Sequence, residues 1–230
     1  MFCKSEVNCN MDIKELIKAR HSVRQFKDTP IEEELREKLR GIVDECNAES
    51  GLKIQTVFDD PSCFNTLLAH YGKFKNAVNY IALVGDKSNP ELDELCGYYG
   101  EKIVLAAQEM GLNTCWVGGT YGKGKCKADK DKGEKIVCVI AFGYGETEGV
   151  KHKSKDVSKL CNVPESEMPT WFKNGMVAAM LAPTALNQQK FYVTLEGEDV
   201  IITAQKGPFT RVDLGIVRYN FEAVTGRKTK

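Results

Sequence analysis

Ala19-Arg20-His21-Ser22-Val23-Arg24-Gln25-Phe26 carries more chemistry than any other stretch of this chain. Two guanidiniums, an imidazole and a hydroxyl stand within five residues. The segment before it places Asp12 and Glu15 at the spacing of a capping box and Ile13, Leu16 and Ile17 on one apolar face. This pattern predicts a short helix that stops near Arg20. If the chain then runs extended, Arg20, Ser22 and Arg24 alternate onto one side. That side suits a dianion, since Arg offers paired N–H groups to phosphate oxygens and Ser adds a further hydrogen bond. The competing reading is a solvated basic helix end, which the macrodipole also favours. The stretch alone does not decide between them.

Composition narrows the field. The chain has 230 residues, of which 42% are hydrophobic, enough for one large domain or two small fused ones. With 32 basic and 32 acidic residues, no global field favours nucleic acid or an anionic membrane. No apolar run is long enough to span a bilayer, and Met1 to Asn10 lacks the apolar core of a signal peptide. The expected location is the cytoplasm. Nine cysteines and three histidines are present, with no C-x-x-C spacing and an odd cysteine count. Neither a metal site nor a disulfide framework is expected from that. Cys46, Cys96 and Cys138 fall within apolar patterns and read as small buried hydrophobes.

Taken in order, Thr29-Pro30-Ile31-Glu32 reads as the start of a second helix, with Pro at its first position. Lys53 to Phe58 alternates like a strand, and Asn79 to Val84 is a denser apolar run suited to a buried one. Asn89-Pro90 opens a long helix that stops at Gly111. There follows Gly111-Leu112-Asn113-Thr114-Cys115-Trp116-Val117-Gly118-Gly119, a strand running into a glycine pair that allows close backbone approach to a flat ligand or simply makes a tight turn. Tyr121 to Lys135 reads as a mobile surface segment, and Ile136 to Phe142 as a buried strand. Lys151 to Lys155 is a short basic run. Pro169 precedes another helix, which leads into Ala182-Pro183-Thr184-Ala185-Leu186-Asn187-Gln188-Gln189, where Asn187 and Gln189 offer amides that both donate and accept. A hairpin around Glu196-Gly197-Glu198, a last helix from Arg211 to Thr225 and a loose tail complete the chain.

Three of these stretches together, R-x-S-x-R at 20–24, G-L-x-T-x-W-x-G-G at 111–119 and A-P-T-x-x-N-x-Q at 182–189, resemble the FMN-binding signatures of the nitroreductase family. The similarity extends from about Asp12 to Gly226. It implies an α+β fold in which helices flank a mostly antiparallel central sheet. It also implies that Arg20, with His21 and Ser22 around it, holds the FMN phosphate and ribityl chain, and that Arg24 sits by N1 and O2 of the ring, where a cation eases hydride acceptance. Cys115, Trp116, Val117, Gly118 and Gly119 would lie beside the isoalloxazine. Lys153 and Lys155 match a stretch that reaches the phosphate, with Lys155 in place of Arg and so without the bidentate fork. Pro183, Thr184, Ala185, Asn187 and Gln189 would contact ring and ribityl. Thr184 replaces the family's Ser, and Lys190-Phe191 its Pro-Trp.

The chain also resembles itself. Gly100 to Gly111 and Gly215 to Gly226 share a spacing of eleven residues, each at the end of a helix. Two similar halves, 12–150 and 151–230, would form a pseudo-dimer with FMN between them, as a branch of the family carries both halves in one chain. Coincidental similarity of two α+β halves is the alternative. The chemistry is unequal: the first half has the Arg-rich motif, the second the Pro-Thr and Asn motif. One FMN per chain is the expectation, on a monomeric pseudo-dimer or a homodimer.

The function implied is an FMN-dependent oxidoreductase. It would pass hydride from NAD(P)H through FMN N5 to a nitro, quinone or similar small-molecule acceptor, in ping-pong order. The chain needs no catalytic residue of its own for this, because the flavin carries the chemistry. No G-x-G-x-x-G follows a strand, so NAD(P)H would be a transient reductant. A flavin-binding buffer or sensor without turnover, and a non-flavin module that holds some other phosphate, remain as alternatives.

Overall fold

Asp12 opens α1 (Ile13–Ala19), its side chain accepting the Lys14 N–H, and Leu16 and Ile17 are the buried face. The computed structural model describes residues 11–230; the reading of residues 1–10, with Cys3 and Cys9, lies outside the described residues. At Arg20 the backbone turns extended, and Val23 N–H donates to the Thr114 carbonyl at 2.9 Å. Ser22 and Thr114 form a parallel bridge. The 20–26 stretch thus lies along a sheet edge, with Val23 and Phe26 buried on the core side.

Helix α2 (Glu33–Ser50) begins later than Thr29-Pro30 suggests, with Glu32 as its N-cap. Ile31 is buried, and its carbonyl accepts Arg36 Nε at 2.8 Å. Anchoring Ile31 in the core keeps residues 29–31 extended, so tertiary burial overrides the local start signal.

The sheet contains β1 (Gln55–Val57), β2 (Asn79–Asp86), β3 (Asn113–Val117) and β4 (Glu134–Gly143), in the order β1-β2-β4-β3. Every neighbouring pair is antiparallel. The central strands β2 and β4 are buried along nearly their whole length, which explains their dense apolar runs. The first strand is shorter than Lys53–Phe58 suggests. Helices α3 (Leu67–Tyr71) and α4 (Leu92–Glu109) complete this part.

Beyond it lie α5 (Thr170–Met180), the hairpin β5 (Phe191–Glu196) and β6 (Asp199–Ala204), and α6 (Thr210–Thr225). Helices α4 and α6 cross backbone to backbone. A Cβ on Gly97 would fall 2.0 Å from the Val212 carbonyl oxygen, and one on Gly215 would fall 2.0 Å from that of Glu94. One apolar core runs through both regions, including Leu83 and Ile103 from the first and Phe172, Phe191 and Phe221 from the second. Cys46, Cys96 and Cys138 are buried in it. No helix among the described residues is long and apolar enough to cross a membrane.

Two segments read as loose are tied down. The C-terminal tail pairs with β6: Lys230 N–H donates to Val200 O at 2.8 Å, and Ile202 N–H donates to Lys230 O at 3.1 Å. Thr229 is buried, held by Arg218 and Glu222. An edge strand with unpaired backbone groups supplies the reason. Within 121–135, Tyr121 is buried, Lys127 N–H donates to the Tyr80 hydroxyl, and Gln55 exchanges hydrogen bonds with the Asp129 backbone. The polar composition of that segment reports its exposed side chains, not its anchored backbone.

Candidate flavin site

A cavity of about 770 Å³ opens between the 20–24 edge, the turn after β3 and the 183–187 stretch. Arg20, His21, Ser22 and Arg24 line one wall, and Lys151, His152 and Lys153 stand near them. Arg20 is the buried member. Only 4% exposed, it sits with Nε 3.9 Å from Glu101 Oε1, while its Nη1 is buried with no hydrogen-bond partner. Ser22 is half-buried and Arg24 exposed. His21 Nδ1 is 2.8 Å from the Ala19 carbonyl. His152 Nε2 is buried without a partner, and burial pulls this imidazole below its ordinary pKa.

Glu101 stands behind this wall, in the middle of α4 and fully buried. Its Oε2 accepts the Trp116 indole N–H at 3.1 Å. Burial pushes its carboxyl up to about 7, although the Arg20 guanidinium pulls it the other way. Gly100 makes room for the same indole, since a Cβ there would lie 2.4 Å from the Trp116 ring.

The opposite wall is Pro183, Thr184, Ala185, Leu186 and Asn187. Leu186, Asn187 and Gln189 all have positive φ, a costly run for non-glycine residues. A dense set of hydrogen bonds holds it. Asp213, at the start of α6, accepts the Ala185 N–H at 2.8 Å and Gln188 Nε2 at 2.7 Å. Thr184 Oγ1 accepts the Gln189 N–H. Asn187 Nδ2 and Gln189 Nε2 both donate to the Lys153 carbonyl at 2.9 Å. Burial pushes the Asp213 carboxyl up to about 6, with its two donors opposing.

Between the walls, Trp116, Val117, Gly118 and Gly119 form the floor. The glycines differ. A Cβ on Gly118 would fall 2.5 Å from the Phe209 ring, whereas one on Gly119 would meet open space. Phe209 is the N-cap of α6, at φ 58, and also lines the cavity.

The structure therefore gathers most of the residues singled out from sequence. Three stand behind the lining. Cys115 is buried beneath it. Gln189 is buried and used internally, and Lys155 Nζ donates to the Gln188 and Gln189 carbonyls. Sequence reasoning missed Glu101, Asp213, His152 and Phe209. An acid within the apolar pattern of α4, beside Gly100 and Ile103, was the available signal for Glu101; Phe209 had none.

A family model described as "Putative TM nitroreductase" matches residues 12–225. The chain belongs to this nitroreductase family. Among solved structures, this nitroreductase-family chain is similar to a Thermotoga maritima protein described as a "putative nitroreductase", at TM-score 0.67 and 22% identity, over 93% of this chain and 83% of that one. It is also similar to a Desulfovibrio desulfuricans protein described as a "putative nitroreductase" and solved in complex with FMN, at TM-score 0.52 and 17% identity, over 67% of this chain and 98% of that one. A Clostridium acetobutylicum protein described as a "putative NADH oxidase" matches at TM-score 0.50 and 21% identity, over 63% of this chain and 96% of that one. These similarities are of fold. Among curated proteins, none matches this chain.

Proposed function

We propose that this nitroreductase-family chain is an FMN-dependent oxidoreductase that uses NAD(P)H to reduce a nitro, quinone or similar small acceptor. The observation that carries this reading is the buried, unpartnered Nη1 of Arg20 in a cavity wall rich in cations. Buried donors are ordinarily satisfied, so an orphan there points to a missing acceptor. The cavity volume falls within the range of cofactor sites, and its floor is largely apolar. The residues present fit FMN.

Arg20 and Ser22 would hold the phosphate, with Lys153 nearby, and Arg24 would lie at the electron-rich edge of the ring. Trp116, Val117, Gly118 and Gly119 would support the ring, and Pro183 to Asn187 would close the other side. Cys115, Lys155 and Gln189 act from behind, by fixing the lining. When bound, FMN would supply two-electron hydride chemistry between NAD(P)H and the acceptor, in ping-pong order. The protein's part is to bind, orient and set the charge around it.

We further infer one FMN per 230-residue chain, with the halves 12–150 and 151–230 closing on each other. The backbone contact of α4 with α6 at Gly97 and Gly215 and the shared core support this. The described cysteines are all free. The test is to load the purified chain with FMN, measure flavin per chain against mass by light scattering, and follow NAD(P)H oxidation with a quinone or nitroaromatic acceptor. About one flavin on a monomer, with turnover, is the expected result. Retention of flavin without turnover would make the chain a buffer or sensor, and failure to bind FMN would end the flavin reading.

A further inference from the structure

Glu101 and Arg20 are a buried ion pair that does not close. Their nearest charged atoms are 3.9 Å apart, beyond hydrogen-bonding distance. Glu101 Oε1, Arg20 Nη1 and Asn220 Oδ1 are all buried without partners. A fully buried pair is costly unless its remaining lone pairs and protons are satisfied, so this arrangement is poised for a third group.

Among the charged groups around the pair, Arg20 is the one that acts on Glu101. The end of α1 presents Arg20, and β3 presents Trp116, with the Cys115 thiol near Arg20. Helix α6 presents Asn220 and the Tyr219 phenol, and His21 and His152 stand near Arg20. Burial raises the Cys115 and Tyr219 pKa values, which keeps both protonated, and it favours neutral His152. Arg20 is therefore the one charged group that holds Glu101 ionised, with hydrogen bonds from Trp116 and Asn220 adding to it.

We propose that Glu101 is a positioning residue that holds Arg20 and Trp116 in the cavity wall and takes up one proton from solvent when a phosphate monoester binds Arg20. The choice of FMN as that monoester rests on the flavin reading; the proton linkage rests on the pair itself. A dianion on Arg20 takes over the guanidinium and brings negative charge towards a buried carboxylate. A carboxylate that loses its counter-charge in a low-dielectric site neutralises by protonation. Protonated Glu101 still accepts the indole N–H through its carbonyl oxygen. The Asn220 side-chain amide, which donates to the ionised carboxylate, is within hydrogen-bonding reach and can turn its unpartnered Oδ1 to accept the new O–H. The carboxyl already sits near its neutral form, at about 7, so the switch is easily thrown.

The test titrates the full-length apo-protein with FMN by calorimetry at pH 8, in phosphate-free buffers of different ionisation enthalpy. Uptake of more than about half a proton per FMN is expected, with Kd weakening about threefold to tenfold from pH 7 to pH 8. Riboflavin, which lacks the phosphate, should show no linked uptake. Glu101→Gln, which keeps an acceptor for Trp116, should bind FMN with no uptake and a flat Kd. A protonated-carboxyl band should appear in the infrared difference spectrum of the natural protein on FMN binding and be missing from the variant. Uptake below about a tenth of a proton, or equal uptake with riboflavin or in Glu101→Gln, would overturn the proposal. If the variant does not fold, the FMN-against-riboflavin difference and the infrared band decide. If FMN does not bind at all, the flavin reading fails, and phenyl phosphate in the same titration tests the linkage alone; no binding of that probe overturns it too.

Discussion

The two facing walls of the cavity are built by opposite means. In the Arg20 wall, polar atoms are buried without partners: Arg20 Nη1, Glu101 Oε1 and His152 Nε2. In the Pro183–Gln189 wall the polar groups bond each other, through Asp213, Thr184, Gln189 and the Lys153 carbonyl. The first wall leaves hydrogen-bonding capacity unused, and on the flavin reading proposed above that of Arg20 is kept for a ligand. The second spends its capacity on holding a strained backbone in shape. On that reading, the ligand-binding wall and the shape-holding wall differ in their orphaned atoms.

The comparison breaks most readily at Arg20. Arg20→Ala should weaken FMN binding about tenfold to a hundredfold, because a charge-assisted hydrogen bond contributes about 1.5–3 kcal/mol. Titration of the apo-protein by flavin absorbance measures this. Unchanged affinity would mean that the reserved capacity is not for phosphate.

The pH dependence of folding distinguishes the walls next. The Glu101 carboxyl rises from 4.5 to about 7 on folding, so between those values the folded state binds more protons than the unfolded one. Stability of the apo-protein should therefore fall as pH rises from about 4.5 through 7, by on the order of 3 kcal/mol. Asp213, raised from 3.8 to about 6, adds a smaller loss in the same direction at lower pH. Denaturant midpoints across this range test it. A stability that climbs steadily towards pH 7 would contradict the burial of an ionised Glu101.

Asp213→Ala attacks the self-satisfied wall. It strands the Ala185 N–H, leaves the Gln188 amide with the Pro208 carbonyl alone, and should cost about 1–3 kcal/mol of stability, read from urea unfolding. FMN affinity should suffer less than in Arg20→Ala. If flavin binding collapses while stability holds, Asp213 belongs to the binding wall and the contrast fails.

The smallest effect is expected at Phe209, whose ring covers Gly118. Phe209→Ala should leave stability within about 1 kcal/mol, because the residue is part-exposed and its positive φ is strained in either form. Stopped-flow flavin association should become faster. A slower rate would show that the ring guides the ligand and does not stand in its way.

Much of this was legible along the chain. The apolar runs of β2 and β4, the long helix closed at Gly111 and the hairpin at Gly197 follow from periodicity and from the residues that tolerate positive φ, both of which act over a few residues. The alternation of Arg20, Ser22 and Arg24 likewise predicted that they share a wall, and all three line the cavity. Where local signals misled, at Pro30, in 121–135 and in the tail, distant partners had decided the backbone. Ile31 sits in the core, Lys127 meets Tyr80, and Lys230 meets β6.

By itself, the sequence determined most of the helices and strands, though not α3 or the start of α2, and which residue types could grip a phosphate, because propensity and side-chain chemistry are properties of near neighbours. Only the tertiary structure decided that Glu101 on α4 would face Arg20 at the end of α1, that Asp213 would hold the 183–189 backbone, and that Phe209 would lie on Gly118. Those pairings join segments far apart in the chain. What creates them is burial: only packing removes a carboxylate from water and leaves it a guanidinium as its one counter-charge.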